Sequence, residues 1–345
     1  MSEFLLELYS EEIPFQLQIN ARTQLKQQLE KSLEEEGIQH KECLEYSSPT
    51  RLSIYIKSLP EKIKIKAKEI KGPKVGVPEN ILQGFTNSRN VSEKDLFKKE
   101  TEKGEFYFIK TAEKNILVED LLTSILPKAM SLISWKKSMK WSTNNLMWGR
   151  PLRSIFAIFN GKRLPFKYQH LESTDNIIIE QNLITKSQKI KSFKEYFSLL
   201  KSNKIFIDQN ERQRIILKRF NSVSKSKNYK EQYNQSLLEE VVNIVEDPNV
   251  LLVDFDKEYL KIPEEIIIST LEKHQRYFPI FDSRERLTNY FFVVANKKDE
   301  NKLITEGNKR VVDARLSDAK FFWEKDRSKN LIKHCLLYTS PSPRD

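Results

Sequence analysis

Apolar and polar residues alternate along the chain with two periods, one typical of helices and one of strands. A spacing near 3.6 after Pro14 predicts a helix that ends at Gly37. A spacing of two from Arg51 to Lys57 predicts a half-buried strand. The other predicted strands are 4–8, 62–68, 105–111, 154–160, 163–168, 175–180, 250–255, 278–281 and 290–295. The other predicted helices are 118–133, 193–200, 211–223, 237–245, 263–271 and 311–332.

The order of these elements indicates strands that pair with neighbours in the chain. Gly161 and Lys162 join two of them in a predicted hairpin, and no regular β-α-β repeat is present. Turn residues concentrate at 72–104, and the polar segment 222–235 is either a loop or a solvated helix end. The pattern therefore predicts an α+β fold with mixed, mostly antiparallel sheets, packed helices and more than one domain. We expect an N-terminal α+β domain at 1–165 and a second α+β domain at 166–334 that ends in a long helix.

The length and charge of the chain add a hint about partners. The 345 residues are enough for about two domains at roughly 150 residues each. Lys and Arg exceed Asp and Glu by 59 to 48, a net charge of +11, which would suit a polyanionic partner. However, 43 Lys against 16 Arg, with frequent Ile and Asn, also indicates an A/T-rich genome. Part of the lysine excess is therefore explained without any binding partner.

Several protein classes are not favoured by this sequence. No run of about 18 apolar residues is present, so we expect no membrane partner. The N-terminus is acidic where a signal peptide would be basic. Two cysteines, Cys43 and Cys335, cannot form a disulfide framework. These features predict a soluble, cytoplasmic protein.

Catalytic motifs are missing from the sequence. It contains no GxxxxGK[ST], GxGxxG or GxSxG string. The four histidines are far apart, and His40 with Cys43 is a lone pair without a second pair of metal ligands. The sequence therefore predicts no catalytic residue and no metal site in this chain.

Lysines also alternate along the strand predicted after Pro60. Lys62, Lys64, Lys66 and Lys68 would lie on one face of that strand. This is either a basic ribbon that faces phosphate or an edge strand that lysines protect from aggregation.

Seven short strings, in order along the chain, carry a resemblance to one family. The most specific is GNKRVVDARLSDAKFFWEKD at 307–326, which closely resembles the GN-x-x-V-x-x-ARL-x-DA-x-FF-x-x-x-D segment of the β subunit of bacterial tetrameric glycyl-tRNA synthetase. The other strings that resemble this family are ELYSEEIP at 7–14, SPTRL at 48–52, KGP at 71–73, LLEEV with VEDP at 237–248, HQRYFP at 274–279 and NYFFVVAN at 289–296. The resemblance covers roughly the N-terminal half of the family's β subunit.

The resemblance implies a function. The family enzyme joins glycine to its tRNA with ATP, through a bound glycyl-adenylate, in an assembly of two α and two β subunits. ATP, Mg²⁺ and glycine are expected on the α subunit and no cofactor on this chain. The chain would be part of an aminoacyl-tRNA ligase, with the α subunit and tRNA(Gly) as partners. Two alternatives remain open: a free-standing RNA-binding protein, or a scaffold that only holds α dimers together.

The chain departs from the family pattern at several places. Tyr9 and Ser10 stand where the family has Gly-Thr, and Glu180 begins the segment where the family commonly has a GHRF-like string. The segment after Gly72 is shorter than in the family. Residues 335–345 match nothing in the family, and we expect a non-native tail there, the alternative being a genuine divergent end.

If the chain binds tRNA, its exposed cations are the candidate contacts. Lysines and arginines interleave with Trp135, Trp141 and Trp148. One of these tryptophans could stack on an unpaired base. The alternative is that all three are core residues and that the cations reach outward from the same elements. Lys273 and Arg276 would contact either RNA or an interface between domains. Arg315 would contact tRNA or another subunit, or would form an ion pair with Asp318 in the same helix. The eight candidates are Lys136, Lys137, Lys140, Arg150, Arg153, Lys273, Arg276 and Arg315.

Overall fold

A computed structural model describes residues 2–65, 69–89, 92, 95–101, 104–110, 114–141, 143, 145–181, 184–230 and 232–328. Its helices are α1 (Phe15–Glu35), α2 (Glu79–Arg89), α3 (Val118–Ser131), α4 (Phe193–Ser202), α5 (Gln209–Lys227), α6 (Gln235–Ile244), α7 (Glu264–Ser269) and α8 (Leu303–Arg327). A 3₁₀ turn at Lys257–Lys261 precedes α7, and a π-helical turn at Thr270–His274 follows it.

The strands are mostly short. They are β1 (Ser2–Ser10), β2 (Cys43–Ser48), β3 (Arg51–Leu59), β4 (Lys62–Ile65), β5 (Glu69–Lys74), β6 (Leu96–Thr101), β7 (Gly104–Lys110), β8 (Lys114–Leu117), β9 (Met139–Lys140), β10 (Met147–Trp148), β11 (Leu152–Phe159), β12 (Lys162–Arg163), β13 (Lys167–Tyr168), β14 (Leu171–Thr174), β15 (Asn176–Gln181), β16 (Ile184–Lys189), β17 (Asn249–Asp254), β18 (Phe278–Phe281) and β19 (Leu287–Ala295).

The largest sheet has β1 at its centre. Its order is β13-β14-β11-β1-β3-β2, with β12 also on β11, and its pairs are antiparallel except β11 with β14. Because side chains of a strand alternate between faces, β1 contributes to two cores. Leu6 and Leu8 pack with α1 and α3, whereas Leu5 packs with α4. Helices on both faces explain why nearly all of β1 is buried.

A smaller sheet, in the order β17-β19-β18, repeats this two-sided arrangement. Phe291 and Val293 of β19 pack with residues of α7 and α8. Phe292 points to the other face and packs with residues of α5 and α6. A strand with apolar residues on both faces is therefore covered by helices on both faces here too.

Buried polar side chains connect the two sheets and their helices. Gln18 of α1 donates from Nε2 to the carbonyl oxygen of Asn243 in α6 at 3.0 Å. Arg212 of α5 is completely buried, and its guanidinium donates only to carbonyl oxygens. Those acceptors are Val242 at 2.8 Å, Phe206 at 2.5 Å, Ile207 at 3.2 Å and Ser47 at 2.9 Å. Burial lowers the pKa of Arg212 to about 10.

Four small sheets in the described ranges lie outside these two. Three have two strands each, namely β4 with β8, β9 with β10, and β15 with β16. The fourth has three antiparallel strands in the order β5-β7-β6, and α2 contacts β5.

The observed α+β fold with mostly antiparallel sheets confirms the predicted fold class. The division into domains at 165 and 166 stays a prediction, and the largest sheet contains strands from both sides of that position. The predicted hairpin is present between β11 and β12, where Asn160 and Gly161 have φ values of 50° and 73°.

Other elements differ from the sequence-based expectations. The last helix begins at Leu303, earlier than the predicted 311, while the predicted end at 332 lies outside the described residues. The predicted strand 163–168 is two separate two-residue strands. The segment 72–104, which was noted only for its turn residues, also contains helix α2 and strand β6. The polar segment from 222 begins as a helix end, because α5 continues to Lys227 and stops at left-handed Asn228.

Candidate nucleic-acid interface

The tryptophans of the candidate segment point into the protein. Trp148 on β10 is 1% exposed and belongs to the same core as β1, α1 and α3. Trp135 packs against it, with ring centroids 4.8 Å apart, and the Tyr168 ring lies edge-on to it with centroids 6.1 Å apart. Trp141 is half-buried and lies edge-on to His170. The core interpretation therefore fits Trp148, which has no free ring face for a base.

The lysines of the same segment point outward. Lys136, Lys137 and Lys140 are exposed, and none of the three has an ion-pair partner among the described residues. Lys140 lies on the short hairpin of β9 and β10, directly opposite Met147. Aromatic residues anchor the backbone here while the intervening ammonium groups stay in water, as amphipathic side chains do. The three lysines form a cationic edge, and we use this term for them below.

Arg153 is also exposed, but its guanidinium is paired with carboxylates. Its guanidinium makes a bidentate contact with Glu180 at 2.6 and 2.8 Å, and Glu11 lies 3.5 Å away. The Arg153 hydrogen bonds hold the pKa of the Glu180 carboxyl below its usual value. A phosphate at Arg153 would have to displace this carboxylate. Arg150, by contrast, is half-buried and donates to the carbonyl oxygen of Gly149.

Tyr9 connects Arg153 to the interior of the largest sheet. Its hydroxyl donates to Glu180 at 2.9 Å, and its ring lies between the guanidinium groups of Arg153 and Arg51, 5.3 and 4.5 Å from the ring centroid. Burial and the contact with Glu180 raise the pKa of Tyr9. Tyr9 and Glu180 are both positions where the chain departs from the family pattern, and in the structure they are in contact.

A cleft of about 650 Å³ brings together candidates that are distant in sequence. Lys136 lines it from one side and Lys273, on the π-helical turn, lines it from another. Glu240 also lines the cleft, and its carboxylate forms an ion pair with Arg276, with Nε and Oε1 2.5 Å apart. The first turns of α1 and α6 form the remaining walls. Three of the eight predicted residues therefore lie at or beside one cleft.

Carboxylates make the charge of this cleft mixed. Glu239, Glu240 and Glu272 face Lys136 and Lys273 there. The N-terminal turn of α6 already has its cap, because the Asn234 side chain accepts from two backbone N–H groups. Three carboxylates would repel the phosphates of an RNA backbone, so Lys137 and Lys140, which lie outside the cleft lining, are better suited to RNA than the cleft itself.

Arg315 is an exposed residue on α8. Burial raises the pKa of Tyr277, whereas the positive charge of Arg315 acts to lower it. Arg315 therefore lies near Tyr277, the residue that follows Arg276. Arg315 forms no ion pair with Asp318, although both residues lie in the described part of α8. The predicted intrahelical pair is therefore not formed, and the side chain stays accessible.

A charged network inside the largest sheet is absent from the sequence-based expectations. Glu7 of β1 and Arg51 of β3 are each 1% exposed and are 2.9 Å apart. The Tyr196 hydroxyl donates to Glu7 at 2.6 Å and lies 2.8 Å from Ser53 Oγ. The signal that could have revealed it is Glu7, which lies among apolar residues in the middle of β1, together with Arg51 at the start of β3. Such a residue must be paired if the strand is buried on both faces.

Neither a membrane span nor a metal cluster is found in the described part of the chain. Within the ranges that the structure covers, every helix is too short or too polar to cross a membrane. In the same ranges, no group of three His, Cys, Asp or Glu side chains is placed to hold a metal ion.

Comparisons with known proteins identify the family. The family model described as "Glycyl-tRNA synthetase beta subunit" matches residues 4–337. The glycine–tRNA ligase β subunit of Rickettsia felis is 35% identical over 336 residues, which are 96% of this chain and 50% of the relative. Those of Rickettsia prowazekii and Rickettsia bellii are each 36% identical, over 333 and 334 residues, with the same shares covered. The chain spans about half the length of the curated relatives it matches. The chain therefore belongs to the glycyl-tRNA synthetase β subunit family.

Proposed function

We propose that this chain acts as part of the β subunit of a glycine–tRNA ligase, which attaches glycine to tRNA(Gly) with ATP. The family match over nearly the whole chain is the observation that carries this proposal. The β subunit would contribute tRNA binding and assembly, and an α subunit would carry the adenylate-forming site. We place the complex in the cytoplasm, where translation uses aminoacyl-tRNA.

The α subunit is the proposed protein partner, in an assembly of two α and two β subunits. The mixed-charge cleft supports a protein contact, because Lys136 and Lys273 alternate with carboxylates that would match opposite charges on another protein. A scaffold role would require only this contact, whereas a free-standing RNA-binding protein would require none.

ATP and Mg²⁺ are proposed to bind the α subunit. The sequence of this chain contains no phosphate-binding loop of the GxxxxGK[ST] type, which supports that division. The test is glycine-dependent exchange of pyrophosphate into ATP. The purified chain is expected to give no exchange above a blank, while addition of the α subunit restores it. Exchange by the chain alone would refute the division.

The cationic edge is the proposed tRNA contact. Lys136, Lys137 and Lys140 reach solvent without an ion-pair partner in the described residues, so a phosphate can approach them without displacing a carboxylate. Arg150, Lys273 and Arg315 remain additional candidates. Contacts by the arginines at 153 and 276 would require breaking their pairs with Glu180 and Glu240. We rank those two below the others.

Salt dependence tests this contact. Each phosphate contact contributes roughly 0.7 to 0.9 to the slope of log affinity against log salt concentration. Removing three of them with K136Q/K137Q/K140Q should weaken tRNA binding and reduce that slope by about 2 to 3. The matched control is K257Q/K261Q/K297Q, which removes the same charge from exposed lysines outside the candidate set. Equal slopes in the two variants would contradict the proposal.

A further inference from the structure

One face of the three-stranded sheet β5-β7-β6 combines aromatic rings with lysines. The register places Lys71, Phe108 and Phe97 side by side in one row across the strands. The next row on the same face holds Lys74, Phe106 and Lys99. We call these six residues the aromatic–lysine face. On the same side of the sheet, the next pair in the register beyond Lys71 and Phe108 is Glu69 with Lys110.

The opposite face of this sheet is the one that packs inside the protein. Ile70 and Ile109 are paired there, and Gly72 follows on the same face. A Cβ atom at Gly72 would lie 2.7 Å from the Phe85 ring of α2, so that helix lies directly against this side. This face is therefore not the core side of its sheet.

The rings are held in position and remain partly accessible. Phe97 and Phe106 are half-exposed, while Phe108 between them is 8% exposed and stacks on Phe97 with centroids 6.0 Å apart. Phe97 and Phe106 are diagonal neighbours across the two strands, roughly 7 to 8 Å apart. The face thus offers two neighbouring ring positions on a rigid support.

The lysine ammonium groups rest on these rings. Lys71 Nζ lies 3.5 Å from the Phe106 centroid, and Lys99 Nζ lies 5.7 Å from the Phe108 centroid. Exposed cation–π contacts of this kind are weaker than the stacking of a nucleic-acid base on an aromatic ring. A base can therefore replace an ammonium group on the ring, and the long lysine side chain can turn to a neighbouring phosphate.

We propose that the aromatic–lysine face binds unpaired nucleotides of RNA, with bases stacked on Phe97 and Phe106 and phosphates contacted by Lys71 and Lys74. The combination of exposed rings and cations on one sheet face is what single-stranded RNA requires. A duplex keeps its bases stacked inside and presents no base face to the rings. This site is separate from the cationic edge and would exist with or without an α subunit, so it goes beyond the proposed function.

The test uses the full chain and a fluorescent single-stranded RNA of about eight nucleotides, with the same strand in a duplex as a second probe. F97L and F106L keep an apolar side chain and remove the ring. Each should weaken binding of the single strand roughly 5- to 150-fold. F106W should restore it, and the duplex should bind more weakly than the single strand. Y107L is the control, because Tyr107 lies on the same strand and on the opposite face.

Three results would overturn this proposal. They are unchanged single-strand binding in F97L and F106L, equal binding of the duplex and the single strand by K136Q/K137Q/K140Q, or equal losses in F106L and Y107L. The cationic-edge variant K136Q/K137Q/K140Q separates the two sites. It is expected to lose tRNA affinity and keep single-strand binding, so failure of one site does not imply failure of the other.

Discussion

The buried ion pair between Glu7 and Arg51 offers the sharpest stability test. Both side chains lie in the centre of the largest sheet, where water does not reach them. The substitution Glu7→Gln keeps the size of the side chain and removes its charge. The Arg51 guanidinium would then be a buried cation without its counter-charge, since its other hydrogen bond goes to the carbonyl oxygen of Ile178.

The expected magnitude depends on which group each substitution removes. Removing one partner of a buried pair destabilises a protein by about 3 to 5 kcal/mol. Tyr196→Phe removes only the hydroxyl that bonds to Glu7 at 2.6 Å, and a hydrogen bond to a charged group is worth about 1.5 to 3 kcal/mol. Glu7→Gln should therefore lower the free energy of unfolding more than Tyr196→Phe does.

Urea denaturation followed by tryptophan fluorescence measures both effects. Trp135 and Trp148 pack in the core that also contains Leu6 and Leu8, so their signal follows the unfolding of this sheet. Glu36→Gln, at an exposed position, is the control and should change the free energy of unfolding by no more than about 0.5 kcal/mol. If Glu7→Gln lowers the free energy of unfolding by less than about 1 kcal/mol, the conclusion that buried Arg51 depends on Glu7 as its counter-charge would be refuted.

Further predictions concern glycines and acid stability. Gly149→Ala places a Cβ atom closer to the Trp135 ring carbons than van der Waals contact allows and should destabilise the chain by about 1 to 3 kcal/mol in the same urea assay. Gly307→Ala, inside α8 with open space around it, should instead stabilise it by about 0.5 to 1 kcal/mol. The Arg153 pair holds the pKa of Glu180 below its usual 4.5, so the stability from this pair is present above that pH. It is lost as the pH falls through the lowered pKa, and Glu180→Gln should make the acid-induced loss of stability shallower. An unchanged acid profile would contradict this reasoning.

The sequence predicted the elements whose periodicity reflects burial. Strand β1 and helix α1 carry apolar stripes because each packs against a core. Strand β16 was missed because all six of its side chains are exposed, which leaves no alternation to detect. The early start of α8 was missed because Gly307 and its polar neighbours interrupt the apolar pattern, although the half-buried Asn308 is held by a hydrogen bond from the Tyr277 hydroxyl.

The sequence offered a set of candidate residues and not their geometry, and the binding role of those residues stays a prediction. The segment near Trp135 was chosen for its mixture of aromatic and basic residues, and its lysines are exposed as a binding role requires. Pairing partners distant in sequence, such as Glu180 for Arg153 and Glu240 for Arg276, could not be predicted from local spacing. The aromatic–lysine face likewise depends on the register of three strands, which the sequence alone does not fix.

Co-elution with the α subunit tests the central proposal most directly. The full chain, an α subunit from the same source and tRNA(Gly) would be combined and separated by size. The proposal predicts that the chain elutes with the α subunit and that tRNA joins the same peak, less so with the K136Q/K137Q/K140Q variant. An α subunit that elutes without the chain, while a full-length β subunit binds it under the same conditions, would contradict the proposed contact in this half.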